Sequence, residues 1–455
     1  MIRPRRLQKA HPERREPLRP GTPVGLAGWL LLVLLLCRVG ESPAEELKPL
    51  QPLIDKTPAG ETLVPPPGRY AGPVVITRSI NLDGQGKVTI DAGGKGSVVV
   101  LKTDGATLRR LHLTNSGESY NDIDSGVQVR GKFNVIKDNV IDNCLFGIDL
   151  QQSSYNVVRR NSISSKPFEL GQRGDAIRLW YSFNNKITDN VISHARDTVV
   201  WYSADNVISR NKATHSRYSL HFMYSRYNLV EDNDYSNNTV GIFLMYSDGV
   251  ILRRNRITHA AGPTGVGIGF KETSDLVLED NEVLYCSTGW YIDVSPFQPD
   301  TTNRFRGNLV AYNGIGVRFL NDWKGNIFNQ NLFVDNLTQV AVTGGQTANR
   351  NTWEGNYWSD YEGFDRDGDG VGDQPYELYA YADRLWQNVK EAQFFKGTPM
   401  LEALDFLERL APFSEPKLVV RDPLPSMETE MEAPAAEEPT EAKDPLDLLR
   451  ESLGR

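Results

Sequence analysis

The 455-residue sequence predicts an all-β solenoid, a right-handed parallel β-helix with an N-terminal cap and a small C-terminal helical region. Two observations predict the solenoid. Asparagines recur at Asn139, Asn161, Asn190, Asn211, Asn233, Asn255, Asn281, Asn308 and Asn331, at intervals of 22, 29, 21, 22, 22, 26, 27 and 23 residues. Between them lie short alternating runs such as GIDLQQSSYNVVRRN (147–161), VVWYSADNVISRN (199–211) and GIFLMYSDGVILRRN (241–255). Alternation broken every few residues by Ser, Asn, Asp and Gly is the pattern of short strands, not helices. A recurrence near 22 residues then corresponds to one coil of three short strands. A propeller blade, the competing architecture, needs about twice that length.

The elements follow in order. Residues 1–44 open with Arg3, Arg5, Arg6, Lys9, Arg14, Arg15 and Arg19, then the apolar run GLAGWLLLVLLLC (25–37), then small Ser42 and Ala44. This is the layout of a cleaved secretory signal, with an uncleaved anchor as the competitor; about a dozen apolar residues is short for a membrane span. Residues 45–76 offer a short amphipathic helix and a first strand, a cap over the apolar end of the stack. Coils occupy 77–360, with Ile148/Leu150, Ile177/Leu179, Leu220/Phe222 and Ile242/Leu244 pointing inward. The recurring asparagines stack at one turn and bond to one another between coils. An acidic Gly-rich loop spans 361–376, and helices span 377–413, carried by YADRLWQNVKEAQFF and by TPMLEALDFLERLAPF with its Thr398-Pro399 start. From Ser414 the Pro/Glu/Ala-rich composition predicts a disordered acidic tail, 414–455.

The formal net charge of −8 excludes a general nucleic-acid binder, which needs a basic excess to neutralise phosphates. Cys144 and Cys286 each stand five residues after a ladder asparagine. They are therefore in the same coil position six coils apart, or about 29 Å at about 4.8 Å per rung. A disulfide needs Cα atoms within about 7 Å, so both are expected as free thiols in the core. No Gly-x4-Gly-Lys-Ser/Thr phosphate loop occurs in the sequence, so any ATP hydrolysis belongs to another polypeptide.

The pairs Tyr181-Ser182, Tyr202-Ser203, Tyr224-Ser225 and Tyr246-Ser247 align consecutive coils. Just before them stand Trp180, Trp201, Met223 and Met245, and two positions earlier Arg178, Val199, His221 and Phe243. Their neighbours point inward, so both columns point outward. An outward cluster of Trp180, Trp201, Phe243, His221 and two methionines marks a contact face. Two thioethers and an imidazole converging on one point suit Cu(I) better than Zn(II) or Mg(II). Adaptable packing of the methionines beneath a covering helix or partner is the alternative.

HFMYS (221–225), FLMYS (243–247) and NYWSDYEGFDRDGDGVGDQPY (356–376) together resemble the NosD family, as do LQPLID (50–55), GRYAGPVVI (68–76) and ALDFLERLAPFSEPKLV (403–419). The NYWSDY segment is shared with other secreted β-helix proteins; the paired methionine motifs and the helical C-terminal region are the more specific part. The resemblance covers roughly residues 47–425 and leaves the acidic extension outside it. It implies a non-enzymatic periplasmic protein that accepts Cu(I) at His221, Met223 and Met245 from a copper chaperone lipoprotein. Delivery would be to nitrous oxide reductase, beside an ABC transporter permease/ATPase pair that provides the membrane contact.

Three further groups need a reading. DRDGDGVGD places Asp365, Asp367, Asp369 and Asp373 at calcium-loop positions 1, 3, 5 and 9. Tyr376 stands where the bidentate Glu belongs, so either weak structural Ca²⁺ or a tight acidic turn is expected. His194, His215 and His259 each follow a ladder asparagine by four residues, making either a metal pair or a polar turn column. Asp149 and Arg178 share the outward face one coil apart. They seed the rival reading, a carbohydrate-active lyase or hydrolase, although an ion pair accounts for them better. A purely structural β-helix module is the third class.

Overall fold

The computed structural model describes residues 47–344, 346–380, 398–410 and 416–428. The expected signal segment, the first of the two expected C-terminal helices (381–395) and most of the acidic tail lie outside the described residues. The second helix is present at Pro399–Leu410. Among the described residues no helix is long and apolar enough to cross a membrane.

The chain forms a parallel β-helix. Each coil gives one strand to a parallel sheet of twelve strands, from Val74–Ile76 to Thr338–Val342. The other strands form two further columns, such as Val157–Arg159, Lys186–Thr188 and Val207–Ser209, and Ser162–Ser165, Val191–Ser193 and Lys212–Thr214. The inward pattern is as expected: Ile148, Leu150, Ile177, Leu179, Leu220, Phe222, Ile242 and Leu244 are all fully buried. Each such side chain contributes about 1.5–3 kcal/mol.

The asparagines bond from coil to coil. Asn190 donates from both its backbone N–H (3.1 Å) and its Nδ2 (2.9 Å) to Asn211 Oδ1. Asn211 repeats this toward Asn233 and also donates from Nδ2 to Ile187 O at 2.9 Å. A second ladder, through Asn134, Asn156, Asn185, Asn206 and Asn228, runs five residues earlier. It is visible in the sequence once the first is known. Ser153, Ser182, Ser203, Ser225 and Ser247 form a third ladder, each hydroxyl after the first accepting from the previous coil's serine N–H. Cys144 and Cys286 are buried free thiols, and burial pushes both up to about 12.

The structure corrects three boundaries. Coils begin before residue 77, because Gly68–Ala71 and Val74–Ile76 already pair with the next coil. The cap proper is the helix Gln51–Lys56, with Leu50 and Ile54 buried on the core. Gln51 also accepts from Val75 N (2.8 Å) and donates to Val75 O (3.0 Å), occupying the otherwise open edge of the first rung. At the other end, Tyr376–Ala380 is a strand rather than helix, paired antiparallel with Lys417–Asp422. Residues 416–428 are therefore ordered, although they lie past the expected start of the tail at Ser414. Burial of Val419 and Val420 and the bonds of Asp422 hold them. That carboxylate accepts from Asn356 N and Nδ2 and from Trp358 Nε1, at 3.0, 2.9 and 3.2 Å, and so terminates the asparagine ladder.

The insertions that lengthen some coils, 115–124, 166–176, 259–265 and 294–302, all border the twelve-stranded sheet. Extra loops on one face of a solenoid commonly frame its binding surface. The same face carries the columns singled out above.

Candidate metal-binding face

The parallel register sets the columns. Val199, His221 and Phe243 are paired in succession, and so are Trp201, Met223 and Met245, with Lys271 next. Trp180 precedes Trp201 in the same column. His221 Nε2 lies 3.2 Å from Met245 Sδ, a diagonal contact across one rung. The imidazole nitrogen and the thioether sulfur would together offer a soft metal ion two donors. Met223 stands in register with Met245, and both are half-buried.

The imidazole is held by aromatic neighbours. Tyr218 stacks on it at 4.5 Å and 18°, and Phe243 meets it edge-on at 6.3 Å and 90°. Only 9% of His221 is exposed. Burial pulls its pKa below the ordinary histidine range; Asp197 pulls the other way and Arg217 adds to the lowering. A neutral imidazole is the form that ligates metal.

Beside the Met column runs a ladder that the sequence reading used only as an alignment mark. Tyr181, Tyr202, Tyr224 and Tyr246 stack at 4.9, 5.1 and 4.8 Å. All four have left-handed φ, between 48° and 52°, a conformation that costs a non-glycine residue about 1–2 kcal/mol. Ring stacking offsets part of that.

A Pseudomonas aeruginosa protein named probable ABC transporter binding protein NosD is 30% identical over 387 residues, covering 78% of this chain and 84% of that protein. The chain belongs to the NosD family. Residues 162–363 match the family model described as periplasmic copper-binding protein (NosD), a span that contains His221, Met223 and Met245. Residues 79–195 match a right-handed β-helix region. The Stutzerimonas stutzeri NosD of the same description is 31% identical over 140 residues, 30% of this chain and 32% of that one. Among solved structures, the A-module of the Azotobacter vinelandii mannuronan C-5 epimerase AlgE6 overlays with TM-score 0.48 at 16% identity, over 64% of this chain and 90% of that one.

The remaining candidates fare unevenly in this NosD-family chain. Asp149 is fully buried. Arg178 donates to one of its oxygens at 2.9 Å, and Arg130 closes on the other at 2.8 Å, near enough for an ion pair but off the direction of a hydrogen bond. The pair is thus a covered salt bridge on the outward face, in the column of His221, and Arg130 was not foreseen. His194 and His215 stack at 4.9 Å and 1°, which leaves equivalent ring nitrogens too far apart to share an ion at about 2 Å from each. His259 stacks instead on Tyr285.

In the acidic loop, donor oxygens of Asp365, Asp367 and Asp369 all lie within 4.8 Å of one another. Asp365 accepts from Gly368 N and Gly370 N at 2.7 and 2.9 Å, which lowers its pKa. Repulsion from Asp369, then burial, raises that of Asp367. Asp373 accepts from Arg366 N at 3.1 Å and stands outside the trio. Glu428, brought in by the C-terminal segment, lies beside Gly370.

Proposed function

We propose that this NosD-family protein is a periplasmic copper-binding accessory in which His221, Met223 and Met245 accept Cu(I). The metal is then released for the copper centres of nitrous oxide reductase. The reading rests above all on the 3.2 Å approach of His221 Nε2 to Met245 Sδ, with Met223 in register beside it. Thioether and imidazole are a soft donor set, and half-burial keeps the metal reachable by a donor, a copper chaperone lipoprotein, and by an acceptor. Transfer is ligand exchange; no bond-making catalysis is needed, and the chain is read as a carrier. Trp180, Trp201 and Phe243 form the contact face. The family description supports the periplasm and copper, and the names of the relatives support work beside an ABC transporter, through which membrane contact is made. Asp365, Asp367 and Asp369 are proposed as a weak structural Ca²⁺ site.

Cu(I) titration against a competing chelator tests the copper reading. Wild type is expected to take one tight equivalent. His221→Ala, Met223→Ala and Met245→Ala should each lose more than the roughly 10- to 100-fold caused by removing an outer-shell partner, with unchanged melting curves. Equal affinity in wild type and all variants sinks the assignment.

A further inference from the structure

The same face holds a cavity of about 410 Å³ beside His221, walled on one side by the inserted loop 115–124. That volume is within the range of small-ligand pockets, roughly 300–1,000 Å³. Tyr120, Phe146 and Trp201 supply aromatic wall, and the guanidiniums of Arg178, Arg196 and Arg217 line it.

Each arginine is fixed by a buried aspartate, of which Asp175 and Asp197 also line the cavity. Arg178 donates to Asp149 at 2.9 Å, and Arg196 donates twice to Asp175 at 3.1 and 2.9 Å. Arg217 engages both oxygens of Asp197. These bonds use one edge of each guanidinium. Among the described residues, Nε and Nη2 of Arg178 and Nη1 of Arg196 and of Arg217 have no protein acceptor. Trp201 Nε1 is likewise buried without a partner. Counting Arg130 on Asp149, four guanidiniums meet three carboxylates, leaving one positive charge. A network that served only to hold coils together would need neither spare donors on arginines that line a cavity nor aromatic walls around them. Forks already immobilised lose little entropy on meeting an acceptor, and planar guanidinium matches carboxylate geometry.

We infer that this cavity binds a small ring-borne carboxylate. Its carboxylate sits on the unused N–H groups of the arginines and its ring lies against Trp201 and Phe146. Aromatic acids and uronic acids share that chemistry, since either ring presents a face to an aromatic side chain.

Metal-free full-length protein, titrated with benzoate, phenylacetate and galacturonate by calorimetry and tryptophan fluorescence, tests the inference. Benzamide and galactose serve as neutral counterparts. One equivalent of at least one acid is expected, bound about tenfold or more tighter than its neutral counterpart. The preferred acid distinguishes aromatic from sugar ligand. The double variant Arg196→Gln/Asp175→Asn keeps a neutral hydrogen-bonded pair and should lose the preference for acid over neutral ligand. No binding at millimolar concentration, equal binding of neutral counterparts, or a well-folded double variant that binds like wild type would each overturn it. Copper is absent throughout, so this inference and the copper reading fail independently.

Discussion

At the scale of single residues, the face works because a parallel register turns sequence spacing into distance. His221 and Met245, twenty-four residues apart, touch because each coil advances the chain by one rung. Burial decides the protonation of one group on the same face. Asp175 is pushed up to about 6, mainly by loss of water and further by Asp197, against the pull of Arg196. Its unfolded value is about 3.9. Between these values the folded chain holds a proton that the unfolded chain has released. This contribution to stability is therefore fullest below about pH 4 and falls as pH rises through about 6. Asp175→Asn carries no titrating proton, so its stability relative to wild type should rise by about 2–3 kcal/mol from pH 4 to pH 7. Urea unfolding at stepped pH measures this, and parallel pH profiles for the two proteins would refute it. The columns containing His221 and Met245 were legible in the sequence, because strand alternation and coil period are arithmetic. Which sulfur meets the imidazole was not, since methionine has three rotatable side-chain bonds and the choice is made by packing.

At the scale of elements, both ends of the stack are sealed by pieces that look minor in sequence. The strand Lys417–Asp422 is six residues between a helix and an acidic stretch, and composition averages it into its surroundings. Its pairing partner Tyr376–Ala380 is some forty residues away, beyond any local pattern. Asp422 is the decisive residue, because Gly355 N and Leu424 N reach one oxygen while Asn356 and Trp358 reach the other. Replacing it by alanine leaves the buried donors of Asn356 and Trp358 without an acceptor. The expected loss for Asp422→Ala is about 3–5 kcal/mol, seen as a lowered melting temperature, with Asp422→Asn intermediate. An unchanged melting curve for the alanine variant would show that the ladder needs no terminator.

At the scale of the whole molecule, the β-helix is a one-dimensional stack in which each coil touches only its neighbours, so damage should stay local. The stack was legible because its asparagines repeat. The cavity was not, because the loops that wall it fold over neighbouring coils and leave no periodic trace. Asn211 lies mid-stack and joins three coils through Asn190, Ile187 and Asn233. Asn211→Ala orphans the buried N–H of Asn190 and takes the side-chain donor from the carbonyl of Ile187, while the backbone N–H of residue 211 still reaches Asn233 Oδ1; the cost is about 3 kcal/mol. Nearest-neighbour coupling then predicts where the loss appears. Hydrogen exchange should accelerate in the strands Lys186–Thr188 and Leu229–Glu231, while Asn326–Asn329 and Leu332–Val334 keep wild-type protection. Uniform acceleration along the chain would mean that the stack unfolds as one unit, and that its ladders couple coils well beyond their neighbours.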